Sequence, residues 1–184
     1  MTTRLALLPV IALAVAACSS DTTTTGPISV PDGPQLATTF TPANAPTGTH
    51  VQTGTPSCSV SGLTVTCSAY ELGGVGNTNA TANLVVDYTA TINCTNKGGE
   101  LVEVHSQDAT ASSSSGTLRS KNGRLDVPVV SATAPTNQTI LQQADCPNRN
   151  WTPSVQGGSV TLSSFTYTLT FTGFTGAFIT ITGP

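Results

Sequence analysis

Residues 84–94 alternate without a break. Leu84, Val86, Tyr88, Ala90, Ile92 and Cys94 hold one parity; Val85, Asp87, Thr89, Thr91 and Asn93 hold the other. A period of two with apolar residues on one side is the pattern of a strand with one face in a core and one in water, which is how antiparallel sheets are built. The stretch just before it, at 58–67, reads CSVSGLTVTC. A tight loop at 61–64 around Gly62 sets Val60 opposite Val65 and Cys58 opposite Cys67, all four on one face. Together these segments commit the chain to β structure.

The remaining segments repeat the pattern with different strengths. Asn96-Lys97-Gly98-Gly99 is a turn, after which 101–106 alternates again, with Val102 and Val104 expected inward and Glu103 and His105 outward. The serine-rich stretch at 111–116 reads as an exposed loop tip. Asn122-Gly123 marks a two-residue hairpin that would pair Lys121 with Arg124, Ser120 with Leu125, Arg119 with Asp126 and Leu118 with Val127. Residues 139–144 fit either one helical turn or a link across the molecule. In 159–171 the apolar parity changes between Leu162 and Phe165, so a bulge is expected at Ser163-Ser164. A last strand covers 177–181. Seven or eight short strands with no long helix imply an all-β, antiparallel two-sheet sandwich, with an immunoglobulin-like or fibronectin-type arrangement expected.

The cysteines sharpen this expectation. Beyond Cys18, the chain carries Cys58, Cys67, Cys94 and Cys146, an even number suited to two disulfides in an oxidising space. Of the three connectivities, the hairpin register favours Cys58–Cys67, which leaves Cys94–Cys146. No C-x2-C pair is present, so neither a four-cysteine metal site nor a redox motif is indicated, and no cofactor is expected.

Charge and reagents narrow the function. Charged residues make up only 8% of the 184 residues and the formal net charge is −3, so the chain lacks the basic footprint of a nucleic-acid partner. The only histidines are His50 and His105. His105 stands two residues from Glu103 on one strand face, where solvation explains it as well as acid–base work does. Gly73-Gly74-Val75-Gly76-Asn77 precedes a strand and opens no helix, so it reads as a loop and not as a phosphate cradle. A hydrolase would need a carboxylate pair such as Glu71 with Asp87 or Glu100 with Glu103. Threonine ladders of the kind that bind a crystalline surface occur only in fragments, as at 166–172. No catalytic residue is therefore assigned. The segment at 146–153 gathers Arg149, Asn150 and the only tryptophan, Trp151, the ingredients of glycan or protein recognition, unless Trp151 instead plugs one end of the sandwich.

The N-terminus gives an address. An apolar run at 5–17 follows Arg4, is shorter than a bilayer span and ends in Val15-Ala16-Ala17-Cys18. This end resembles the lipobox of bacterial lipoproteins. The resemblance implies a signal peptide at 1–17, cleavage before Cys18 and acylation of Cys18, with the membrane as partner through the lipid. Residues 18–56, rich in Thr, Pro and Gly, then read as a disordered stalk, and 57–184 as the sandwich domain, although 35–40 carries an edge-strand pattern. In layout the chain resembles exported bacterial proteins that place a β-sandwich behind a lipobox and a Thr-rich stalk. That likeness implies a non-catalytic binding, adhesion or envelope-structural role at the cell surface or in the periplasm, with a glycan or an envelope protein as partner.

Overall fold

The computed structural model describes residues 36–184. The expected signal peptide, Cys18 and the first part of the expected stalk lie outside the described residues. The fold is all-β and antiparallel, with twelve strands, one short α-helix and a 3-10 turn at Pro42–Asn44 among the described residues. Its centre is β6 (Ala80–Thr95), the alternating stretch that dominates the sequence. The buried parity begins earlier than Leu84, since Ala80 and Ala82 are also buried.

Both edges of β6 are paired. On one side runs β7 (Leu101–Leu118). On the other, β10 (Thr152–Val155) and β11 (Thr161–Phe171) follow one another along the same edge, opposite 92–95 and 80–89. The expected bulge is present, as a register shift between Leu162 and Ser164. Beyond β11 lie β12 (Ile179–Gly183) and then β1 (Ala37–Phe40), where an edge strand does form. Since β1 and β2 (His50–Thr53) are both paired, the folded body starts well before residue 57.

The second layer consists of two three-stranded sheets: β2, β5 (Tyr70–Gly73) and β8 (Arg124–Val127), and β3 (Cys58–Ser61), β4 (Thr64–Cys67) and β9 (Val130–Thr133). They are halves of one ladder. The pairs Cys67↔Val130 and Tyr70↔Val127 continue in a single register. Between them the buried parity switches on both strands, from Val65 and Cys67 to Tyr70 and Leu72, and from Leu125 and Val127 to Val130 and Ala132. Pro128 sits in the joint, where it has no N–H to give a ladder. The sheet rolls there without slipping. Side chains from β4, β5, β8 and β9 share one core with β6, β11 and β12, so the two layers form a sandwich.

Two hydroxyl contacts cross it. Tyr70 and Tyr167 meet at 2.9 Å in the interior, and the Tyr88 hydroxyl donates to the Leu63 carbonyl at 2.9 Å, holding the β3–β4 turn. The β3–β4 register is the expected one, with Cys58 opposite Cys67 and Val60 opposite Val65. Both disulfides, Cys58–Cys67 and Cys94–Cys146, are formed.

Three expectations are overturned. Val102 and Val104 face outward and are exposed, while Glu103 and His105 lie on the inner side, opposite Cys94 and Ile92. The cause is one residue. Next to the turn, Thr95 pairs with Leu101, a register that would bring Val102 to Cys94; a shift between Thr95 and Cys94 puts Glu103 there instead. The serine-rich stretch at 111–116 is not a loop tip but part of β7, because β6 supplies it with a ladder. The Asn122-Gly123 turn does form, with Asn122 at φ 53° and Lys121 bridged to Arg124. The hairpin stops there, however: Leu125, Asp126 and Val127 pair with Leu72, Glu71 and Tyr70 of β5, whose buried side chains match theirs.

A smaller core covers the far end of β6. The short helix α1 (Asn137–Leu141), capped by the Thr136 hydroxyl, lays Ile140 against Ala90, Ile92, Cys94 and Ala109. It settles the ambiguity at 139–144 in favour of a helical turn.

Candidate functional site

Cys94 holds both ends of the segment at 146–153. Its sulfur bonds Cys146, and its backbone is opposite Pro153 of β10. Between these points the chain turns on Asn148, whose side chain accepts from Asn150 N at 3.0 Å and whose carbonyl accepts from Trp151 N at 2.8 Å. Such self-bonding is the usual work of asparagine in a turn. The turn sets Arg149 and Asn150 in solvent and brings Trp151 half-buried against the smaller core. Trp151 thus packs as a plug and keeps part of its ring accessible, while Arg149 and Asn150 are committed to nothing inside the protein.

The other chemistry-bearing residues are scattered. Glu71 and Asp87 point from the outer faces of opposite layers, so the sandwich stands between them. Asp87 accepts from the hydroxyls of Thr110 (2.9 Å) and Ser164 (3.2 Å), and Glu71 accepts from Arg124 at 2.7 Å. Glu100 lies in the turn after β6, exposed, whereas Glu103 is on the inner side of β7. Glu103 and His105 do share a face, but Oε1 and Nδ1 are 3.8 Å apart, too far for a hydrogen bond, and the His105 Nδ1 is buried without a partner. His50 is exposed, and its pKa is raised above the ordinary histidine value, first by its hydrogen bond to the Gly48 carbonyl. The Gly73-Gly74 loop is structural: Gly74 passes so close to the Gly48 carbonyl that no Cβ fits. Among the described residues no group of three or more His, Cys, Asp and Glu side chains is placed to hold a metal.

One feature escaped the sequence. An open groove of about 560 Å³ lies at the joint of the second layer, between Tyr70, Val127 and Pro128 on one side and Leu118 of β7 on the other. Glu71 and Asp126, direct cross-strand partners, stand on its rim. Its parts come from four distant segments, and the available clue was the paired parity switch around Pro128.

Compared with known proteins, the chain matches no family model, no curated protein and no solved structure. The two disulfides are consistent with an extracytoplasmic location. Among the described residues no helix is long and apolar enough to cross a membrane.

Proposed function

We propose that this chain is a lipid-anchored, extracytoplasmic binding or adhesion module of a bacterial envelope, recognising a glycan or an envelope protein through the turn at 148–151. The observation that carries this reading is the double hold of Cys94 on that turn. A loop fixed at both ends loses little freedom on binding, so exposed Arg149 and Asn150 beside a half-buried indole are arranged for recognition in advance. The lipobox supplies the address: acylation of Cys18 would hold the protein at a membrane, each buried CH2 contributing about 0.8 kcal/mol. The immunoglobulin-like affinity expected from the sequence enters only as an analogy of layers and carries no function by itself.

The test is retention on isolated envelope fractions. Arg149→Ala with Asn150→Ala, both solvent-facing, should lower binding at least about tenfold while leaving the melting temperature unchanged. Undiminished binding by that variant rejects the turn as the recognition element. Separately, Cys18→Ser should move the protein out of the membrane fraction.

A second reading, a hydrolase with a carboxylate pair, draws on Glu71 and Asp126 at the groove. Cross-strand partners on one face start about 5 Å apart at Cβ, which lets two carboxyls converge on one substrate. Arg124 works against it by engaging the Glu71 carboxylate at 2.7 Å, which occupies an oxygen the reaction would need. Glycan cleavage that disappears in Glu71→Gln would favour it.

A further inference from the structure

Among the described residues nothing pairs with the second edge of β7, the longest strand of the protein at 18 residues. Natural sheets blunt such edges with lysine, proline or bulges, because a free ladder templates another strand. Here those three devices are absent from the central stretch, whose charged side chains are Glu103, turned inward at its end, and Asp108. From Glu103 to Ser114 the register to β6 has no shift, and the strand contains no Lys, Arg or Pro.

We propose that β7 is an interface between two copies of this chain, joined edge to edge in antiparallel fashion about a two-fold axis at Ala109. The proposal does not rest on the recognition turn. The choice of a second copy follows from the sequence of the edge, because residues 104–114 are self-complementary about Ala109. Asp108 faces Thr110 of the other copy, Gln107 faces Ala111, Ser106 faces Ser112, His105 faces Ser113 and Val104 faces Ser114. No two like charges meet. Two-fold pairing makes every one of these contacts twice and closes the assembly at a dimer. An axis at Asp108 would instead bring that carboxylate against itself.

Three local features fit this interface. Ala109 is small, which allows the two strands to approach at the axis. The His105 Nδ1, without a partner in one protomer, gains the hydroxyl of Ser113 from the other. Val104, 51% exposed, has its flank covered. The main sheet, six strands arranged five wide because β10 and β11 share one edge of β6, would become a continuous sheet of twelve strands, ten wide.

The register makes the test specific. Ser106 and Ser112 are both exposed on the outer face, so substitutions there leave the core alone. The whole chain carrying Cys18→Ser, so that acyl chains play no part, should sediment as a dimer at about 100 μM. Ser106→Lys with Ser112→Lys sets lysine against lysine across the axis and should weaken the dimer at least about tenfold; Ser106→Lys with Ser112→Glu sets opposite charges and should keep it within about threefold. Circular dichroism of both variants should match the parent. A monomer at that concentration overturns the proposal, and so does equal association by the two double variants, which would mean a different register or a different surface.

Discussion

β6 and β7 are the two arms of one hairpin and share a ladder, yet they are organised on opposite principles. β6 is paired on both edges and buries every second side chain from Ala80 to Cys94, so its own sequence decides which way it faces. β7 is paired on one edge and buries only Ala109 fully. Its facing is imposed. The bulge beside Thr95 exposes Val102 and Val104 and turns His105 and a still partly exposed Glu103 inward; in exchange it turns Asp108 and Thr110 to water and Ala109 and Ala111 to the core. Exposing two valines forgoes roughly 3–6 kcal/mol. Burying an ionised aspartate without a partner costs more. A strand with few apolar residues is therefore oriented by the residues it must keep wet.

The comparison can be broken first at the junction of the two arms. Removing the Cys94–Cys146 bridge with Cys94→Ala and Cys146→Ala should lower unfolding free energy by about 4 kcal/mol, since it closes the longer of the two loops. Urea denaturation should show it, and the β10 turn should become protease-sensitive. Loss of about 1 kcal/mol or less would mean that the smaller core holds this end without the sulfurs.

Next, matched truncations should separate the arms. Leu84 and Ser113 are register partners on the same face. Leu84→Ala removes a fully buried side chain and should cost about 3 kcal/mol, whereas Ser113→Ala should change stability by less than about 0.5 kcal/mol. Equal costs would show that β7 contributes to the core as β6 does.

The layer contact offers a pH test. Tyr167 lies on β11 opposite Leu84 and meets Tyr70 of the other layer. Burial raises both phenols above the ordinary tyrosine pKa, so the fold favours the protonated forms. The resulting stability is complete below the unfolded value of about 10 and is lost as pH rises above it. Alkaline titration should unfold the protein, and Tyr70→Phe with Tyr167→Phe should reduce that loss while costing less than about 1 kcal/mol at neutral pH.

How much of this was legible follows from the same contrast. The parity of β6, the β3–β4 register, the pairing of the cysteines and the bulge near Ser163 could all be read, because apolar side chains at fixed spacing produce them. The facing of Val102 and Val104 could not, since it depends on one bulge whose advantage lies at Asp108. Nor could the partner of β8: the Asn122-Gly123 turn is local, but Leu125 and Val127 are drawn to Leu72 and Tyr70, more than fifty residues earlier. The turn at 148–151 was legible as composition and illegible as geometry, because the hold of Pro153 on Cys94 is a register between distant strands.

The last predicted effect has an unusual sign. His105 takes a core-side position on β7, opposite Ile92, with its Nδ1 buried and unpaired in the protomer. A polar atom left in that state costs free energy that a same-sized apolar group would not. His105→Val, giving β7 at that point the character of β6, should therefore stabilise the protomer by about 1 kcal/mol against heat and urea. If the second copy supplies Ser113 to that nitrogen, the same substitution removes a contact between the copies and should weaken self-association. Stability and assembly would then move in opposite directions in one variant. A variant that is both less stable and unchanged in assembly would show that His105 is already satisfied within its own protomer.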